Sequence, residues 1–311
     1  MQLVRGVHNI RDAHNGCVLT IGNFDGVHLG HQRVVTALVA KAKKLNLIPA
    51  VMVFEPQPQE LFNPQMAPAR LSRLRDKYTL LKKLGVQRLI CVNFTHEFAS
   101  QTAQQFIEKL LVTQLGVKHL IIGDDFRFGK NRLGNFAMLK NAGSKFGFEV
   151  TDTASYKMLT CRISSTEIRK ALQQDELEDA EQMLGRKYSI IGRVVHGDKQ
   201  GRNLGFPTAN VLLKRCVSPV AGVYAVSVNA LDKQFYGVAN IGSRPTVNGI
   251  RQQLEVHIFD FNNNLYGQPI EVALLKKLRA EQRFASLDEL TTQIAKDSEQ
   301  ARAYVQALVS N

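Results

Sequence analysis

An α/β domain built on a parallel sheet, followed by a β-barrel-like domain that closes with a helix, is the architecture this sequence predicts. Three observations lead there. In the first half, short apolar runs alternate with stretches of helical period; in the second half, apolar segments follow one another with little helical pattern between them; the carboxyl end then returns to helical spacing. The 311 residues are enough for two separate hydrophobic cores.

Taken in order, CVLTIGNF (Cys17–Phe24) reads as a buried strand, and HQRVVTALVAKAKKLN (His31–Asn46) as an amphipathic helix. IPAVMVF (Ile48–Phe54), QRLICVNF (Gln87–Phe94) and VKHLIIG (Val117–Gly123) follow as strands, and TAQQFIEKLLVTQLG before the last of them is a helix that stops at Gly116. Apolar strands with helical crossovers predict a parallel sheet covered on both faces, with ligand loops beyond the carboxyl ends of its strands. RISSTEIRKALQQDELEDAEQMLG (Arg162–Gly185) suggests a polar loop feeding one or two short helices. Then come the β-rich segments SIIGRVV, GVYAVSVNA, QFYGVANIG, LEVHIFDF and PIEVALLKKL. The closing helix, SLDELTTQIAKDSEQARAYVQALV, carries Ser286 and Glu289 as a capping pair. The expected division is residues 1–184 and 187–311.

Forty basic and 27 acidic side chains give a formal charge of +13, which favours polyanionic ligands without choosing among them. Cys17, Cys91, Cys161 and Cys216 are dispersed and form no CxxC pair, so buried thiols are expected in place of a thiolate metal site or a disulfide framework. The amino end carries no signal-type apolar segment, and no apolar run approaches membrane-spanning length. Cytoplasmic residence and no membrane partner are the corresponding expectations.

GNFDGVHLGH (Gly22–His31) stands at the end of the first strand. Its glycines permit tight turns and close backbone approach, and His28 and His31 can face one ligand at a helix start, where exposed N–H groups suit phosphate. Gly22, Asn23, Phe24 and Asp25 complete this binding loop, Asp25 as an organiser of the loop or of an ion. Two imzidazoles there can donate hydrogen bonds as charge develops on phosphate oxygens. The segment resembles the nucleotidyltransferase superfamily with an HxGH signature, and its longer form the FAD synthetase branch. RISSTEIR resembles the partner motif of those enzymes, which implies phosphate contacts from Arg162, Ser164, Ser165 and Thr166. In FEPQP, many relatives carry His where this chain has Gln57, so Gln57 receives no acid–base role. GDDFRFG is similar to another family loop, with Asp125 as a site wall and Arg127 as a phosphate-contact candidate competing with a plain surface ion pair. The resemblance implies attack by the FMN phosphate on the α-phosphorus of ATP, with no side-chain nucleophile.

The second half supplies GRVVHGDKQGRNLGFPTAN (Gly192–Asn210). Gly192, Gly201 and Gly205 permit a folded loop, Lys199 and Arg202 offer positive charge, and Pro207 precedes Thr208 and Asn210. Those two residues are two apart, so strand-like alternation aims both oxygens at one Mg²⁺, a hard cation suited to oxygen ligands. This context closely resembles riboflavin kinase, a compact β-barrel that transfers the γ-phosphate of ATP to riboflavin. The resemblance makes Glu255 the carboxylate that accepts the ribityl hydroxyl proton, and places Arg244, Arg279 and Phe284 near phosphate or flavin. His257 is read as a packing or polar-contact residue, and Arg279 and Phe284 have an ion pair and core packing as competing roles.

The two motif sets span essentially the whole chain in the order found in the bacterial bifunctional riboflavin kinase/FAD synthetase family. The fold class that follows is a Rossmann-like nucleotidyltransferase sheet and a riboflavin-kinase barrel with a C-terminal helix. ATP, riboflavin and FMN are the implied small-molecule partners, Mg²⁺ the implied cofactor, and FAD the implied product; no nucleic-acid partner is implied, and the oligomeric state is open. Two other readings are a different nucleotidyltransferase whose barrel binds its acceptor, and an RNA-binding β-domain, which would present a continuous basic face or an aromatic platform.

Overall fold

In the computed structural model, residues 1–153, 163–197, 205–213, 217–246 and 249–310 are described, without the side chains of 243–246 and 249–251. The chain forms two compact units: Met1–Pro68 with Ser72–Ser164, and Ala69–Leu71 with Ser165–Asn311.

The first unit holds six parallel strands: β1 (Gln2–Arg5), β2 (Cys17–Ile21), β3 (Ile48–Glu55), β4 (Arg88–Asn93), β5 (Val117–Ile122) and β6 (Glu149–Asp152). Their order is β1-β4-β3-β2-β5-β6. Alternation sends Cys17, Leu19, Ala50 and Met52 into one core and Val18, Val51 and Val53 into another, so both faces of the sheet are covered. The helix Leu29–Leu45 buries Val35, Leu38 and Ala42 against the second of these. Edge strands β1 and β6 escaped the sequence reading because each has four residues and between them they bury only Val4, too little for a period to register. The predicted helix before β5 opens at Ala103 and continues with π-type turns over Phe106–Gln114, and Gly116, at φ 50°, ends it as expected.

The four central strands fix the site. The chain leaves β2 towards β3 and β4 on one side, while β5 and β6 lie on the other, so β2 and β5 flank the switch point of the sheet. Loops leaving adjacent strands there diverge and leave a crevice between them. Gly22–His28 leaves β2 and Gly123–Gly129 leaves β5.

The second unit closes β7 (Ser189–Val195), β8 (Ala209–Leu212), β9 (Gly222–Ala230), β10 (Lys233–Thr246), β11 (Gly249–Ile258) and β12 (Pro269–Arg279) into an antiparallel barrel, ordered β10-β11-β8-β7-β12-β9. Closure pairs every strand on both sides, so no edge is left open. Tyr224, Val226 and Val228 point to the inner core, whereas Val223 and Ala225 pack with Ala301 of the C-terminal helix Leu287–Ser310. Ser286 Oγ accepts from the Glu289 backbone N–H at 3.2 Å, and the Glu289 carboxylate accepts from Ala285 N–H at 3.0 Å, which gives the predicted cap. The helices Ser165–Gln173 and Leu177–Leu184 also belong to this unit: Ile168, Leu172, Ala180 and Leu184 share its inner core. The packing division therefore falls earlier than the functional one expected at residue 184.

Arg279 holds the C-terminal helix. Its Nε donates to Asp297 at 3.0 Å and its Nη2 at 2.8 Å, and Asp297 is only 2% exposed. The guanidinium also lies 5.6 Å from the Phe284 ring centre. Of its two sequence-derived roles, the ion pair is the one present here, formed by a guanidinium fork matched to a carboxylate. Arg279→Leu is expected to lower stability by about 3 kcal/mol, since it strands a buried carboxylate. Urea denaturation checks this; a loss below about 1 kcal/mol would mean that the pair behaves as a surface contact.

Candidate active sites

In the first unit the phosphate loop is built around His28. This residue caps the helix Leu29–Leu45, its Nδ1 accepting the His31 backbone N–H at 3.3 Å. With Nδ1 acting as acceptor of this bond, the ring proton is carried by Nε2. The rings of His28 and His31 stack with centroids 3.6 Å apart and a tilt of 19°. Gly30 makes this possible: a Cβ there would lie 3.1 Å from the His28 ring and 3.7 Å from the carbonyl oxygen of Ile163. The glycine of the HxGH pattern is thus a floor for the first histidine, and Ile163, at the start of the RISSTEIR segment, comes beside it.

His31 is held neutral. Burial lowers its pKa well below the ordinary value, with the neighbouring His28 and Lys77 lowering it further, and its Nδ1 is buried without a hydrogen-bond partner. Phe24 lies 4.9 Å from it, centre to centre, and is 3% exposed. Phe24 was expected among the ligand contacts; its ring instead belongs to the core beneath His31, because apolar area at this loop is most favourably buried. Gly22 is partly exposed and Asn23 exposed.

Asp25 clasps the loop. It is 2% exposed, and its Oδ1 accepts from Ser72 N at 2.9 Å and Ser72 Oγ at 3.2 Å, while Gly26 N donates to Ser72 Oγ at 2.8 Å. These bonds hold a strained turn in which Phe24 and Val27 adopt φ of 46° and 43°, conformations that side chains other than glycine rarely take. Of the two roles read for Asp25, this geometry provides the loop organiser.

Across the switch point, Asp125 is exposed, with its carboxylate folded over Gly123: a Cβ at Gly123 would lie 2.6 Å from Asp125 Oδ1. Arg127 is exposed too, its Nη1 resting on the carbonyls of Asp124 at 3.2 Å and Phe126 at 3.0 Å. Gln57 is buried, and its Nε2 has no partner. Ser165 opens the helix Ser165–Gln173, Ser164 precedes it, and Thr166 is exposed in its first turn. Arg162 lies outside the described residues, as do Cys161 and Cys216; Cys17 and Cys91 are buried free thiols, and burial pushes Cys17 up to about 12.

In the barrel, the register places Asn240, Glu255 and Asn210 on one rung across β10, β11 and β8. Directly paired residues share a face. Leu254 and Val256 point into the inner core, so this rung, with Gln253 and His257 flanking Glu255, faces outward. Gln253 Nε2 donates to Asn210 Oδ1 at 2.5 Å and to Glu255 Oε1 at 3.2 Å. Those two oxygens therefore converge on one point. Asn240 Oδ1, on the same rung, is buried with no partner. Such hard oxygen donors fit a small divalent cation completed by phosphate and water. No group of three or more His, Cys, Asp or Glu among the described residues is placed to hold a metal by itself.

Thr208 stands just before β8, its carbonyl accepting from Asn210 Nδ2 at 3.4 Å. Gly197 lets the preceding backbone pass close over Asn210, since a Cβ there would lie 2.5 Å from Asn210 Nδ2. His257 Nδ1 contacts the Pro207 carbonyl at 3.0 Å, a satisfied polar contact that ties the PTAN segment to β11. Gly205 is exposed at φ 85°. Gly192 needs correction: it is buried in β7, paired with Ile270, because the ladder claims its backbone before any nucleotide loop begins. Lys199, Gly201 and Arg202 lie outside the described residues, and so does the side chain of Arg244.

Three contributors were missed in the sequence. Ser72 and Gln253 carry no motif signal, because each acts through a partner brought near only by folding. Lys77 did leave a trace: it falls between Leu74 and Leu81 on the apolar stripe of the helix Leu74–Lys83, a position where a lysine is out of place. It is 1% exposed, and its charge reaches His31.

Comparison with known proteins agrees with this two-part layout. The family model of FAD synthetase matches residues 10–167, and that of riboflavin kinase matches residues 184–305. Over 306 residues the chain is 56% identical to the bifunctional riboflavin kinase/FMN adenylyltransferase of Escherichia coli (strain K12), covering 98% of each protein. Over 305 residues it is 55% identical to the protein of the same name from Haemophilus influenzae, covering 98% of this chain and 99% of the relative. Among solved structures, the crystal structure of a macrolide-efflux protein from Streptococcus pneumoniae matches with a TM-score of 0.78 at 31% identity, covering 97% of this chain and 99% of the other. In the described residues no helix is long and apolar enough to cross a membrane. Identity above one half over 98% of the chain, with both family models matched, places this chain in the bifunctional riboflavin kinase/FMN adenylyltransferase family.

Proposed function

We propose that the chain converts riboflavin to FMN in its barrel and FMN to FAD in its α/β unit, consuming ATP at both steps. The observation that supports this most is that two separate family models divide the chain, one matching residues 10–167 with the His28–His31 loop and the other residues 184–305 with the Asn210–Glu255 rung. Functionally, residues 1–184 carry the adenylyl transfer and 187–311 the phosphorylation. Both reactions take place in the cytoplasm, where ATP is supplied.

In the barrel, Glu255 orients the ribityl 5′-hydroxyl and accepts its proton as that oxygen bonds to the γ-phosphorus and ADP departs. Asn210 and Thr208 would hold Mg²⁺, which when bound would reduce repulsion between the phosphates. Lys199, Arg202 and Arg244 add positive charge around the nucleotide, and Gly201, Gly205 and Pro207 shape its loop. Alignment and charge stabilisation carry most of such a transfer.

In the α/β unit, a phosphate oxygen of FMN bonds to the α-phosphorus of ATP and pyrophosphate leaves. His28 donates from Nε2 to the triphosphate, and neutral His31 supports the stack and the orientation of that donor. Gly22 and Asn23 border the loop that Asp25 clasps. By family pattern Arg162, Ser164, Ser165 and Thr166 engage the phosphate end, with Asp125 and Arg127 bordering the crevice.

Incubation with riboflavin, ATP and Mg²⁺ is expected to yield FMN with ADP, then FAD with pyrophosphate. Chromatographic separation of the products tests this; the absence of both flavin products across metal and redox conditions overturns the reading.

A further inference from the structure

Gln253 belongs to no motif, yet it occupies the centre of the barrel rung. Both oxygens that a cation and an attacking hydroxyl would use, Asn210 Oδ1 and Glu255 Oε1, accept from its single Nε2 at 2.5 and 3.2 Å. An amide NH₂ has two hydrogens, and two acceptors account for both. A carboxamide nitrogen is a donor only; it cannot ligate a cation that approaches the same oxygens. Oxygen ligands surround Mg²⁺ at about 2.1 Å, so a cation that meets Asn210 Oδ1 on the side facing Glu255 would stand where the amide nitrogen now lies. Asn240 Oδ1, buried without a partner on the rung beside Glu255, is a further acceptor that a cation-bound water would satisfy.

We infer that Gln253 is a placeholder: its amide donates to Asn210 Oδ1 and Glu255 Oε1 while the site is empty and swings away when the magnesium nucleotide enters. This rests on the kinase reading of the barrel. Gln253 is half-buried on an outward face, so its side chain has room to turn without disturbing the inner core formed by Leu254 and Val256. The placeholder gives the two acceptor oxygens one shared donor. Entry of the nucleotide then exchanges one set of hydrogen bonds for cation contacts, which weakens binding relative to a site that is already open.

The test is calorimetric titration of the full-length protein with Mg·ADP, for the native chain and for Gln253→Leu, which keeps the volume and removes the donors. If two ordinary hydrogen bonds must be given up on entry, Gln253→Leu binds Mg·ADP about five- to a hundredfold more tightly. Equal or weaker binding by a variant with native circular dichroism overturns the placeholder and makes Gln253 a brace that remains in position. Gln253→Glu gives an independent measure: with a third oxygen replacing the donor, Mg²⁺ alone is expected to raise its melting temperature while leaving that of the native chain unchanged. No magnesium-dependent shift in Gln253→Glu also counts against the proposal. Failure of the kinase reading is distinguishable: the native protein would then form no FMN from riboflavin, whatever the variants bind.

Discussion

Glu255→Gln will lower FMN formation by about two to four orders of magnitude, the usual contribution of a positioned general base. Supplied FMN will still be converted to FAD at the native rate. The substitution is nearly isosteric, and the Gln253 amide retains an oxygen at position 255 to bond, so the rung keeps its geometry. What is lost is the acceptor for the hydroxyl proton. Initial rates with riboflavin and with FMN as separate substrates, products resolved, check both halves. Equal loss of the two activities in a folded variant would defeat the assignment of separate sites, and undiminished FMN formation would remove Glu255 from the proton transfer.

His28→Ala produces the complementary defect. Adenylylation is expected to fall by about 10²- to 10³-fold, the scale for losing one preorganised donor to a charged transition state, with riboflavin phosphorylation unaffected. Alanine also deletes the helix cap, at about 1 kcal/mol. His28→Asn separates these effects, because its side-chain oxygen can still accept the His31 backbone N–H. Melting temperature should recover towards native in His28→Asn, whereas FAD synthesis should remain depressed. A variant that regains both would show that His28 acts only as a cap, and unchanged FAD formation in His28→Ala would remove it from the reaction.

These two residues illustrate how differently a site can be written in a chain. HxGH is a local device: cap, floor and stacked partner fall within four consecutive positions, so spacing alone points to a shared ligand. The barrel rung is non-local. Asn210, Asn240 and Glu255 come from three strands, and only their register aligns them. The apolar pattern marked LEVHIFDF as a strand and the family resemblance singled out Glu255, but no pattern marked Gln253 or Asn240, since glutamine and asparagine on an exposed strand face look like ordinary surface. Arg279 is open to two readings in the sequence, a ligand contact and an ion pair, and the pair it makes is with Asp297, eighteen residues further along, on a helix whose docking the local sequence does not express. Gly192 reads two ways, within the strand segment SIIGRVV and as the first glycine of a nucleotide loop, and the β7–β12 ladder decides for the strand.

Hydrophobic periodicity and turn chemistry determine the two-part architecture, the parallel sheet, the barrel segments and the terminal helix, because each depends on neighbours within one or two turns of chain. The clasp of Asp25 on Ser72, the buried charge of Lys77 near His31 and the sharing of one amide by Asn210 and Glu255 were decided only by tertiary structure. Each joins groups far apart in sequence, and a hydrogen bond or charge contact exists only once packing has set its few ångströms.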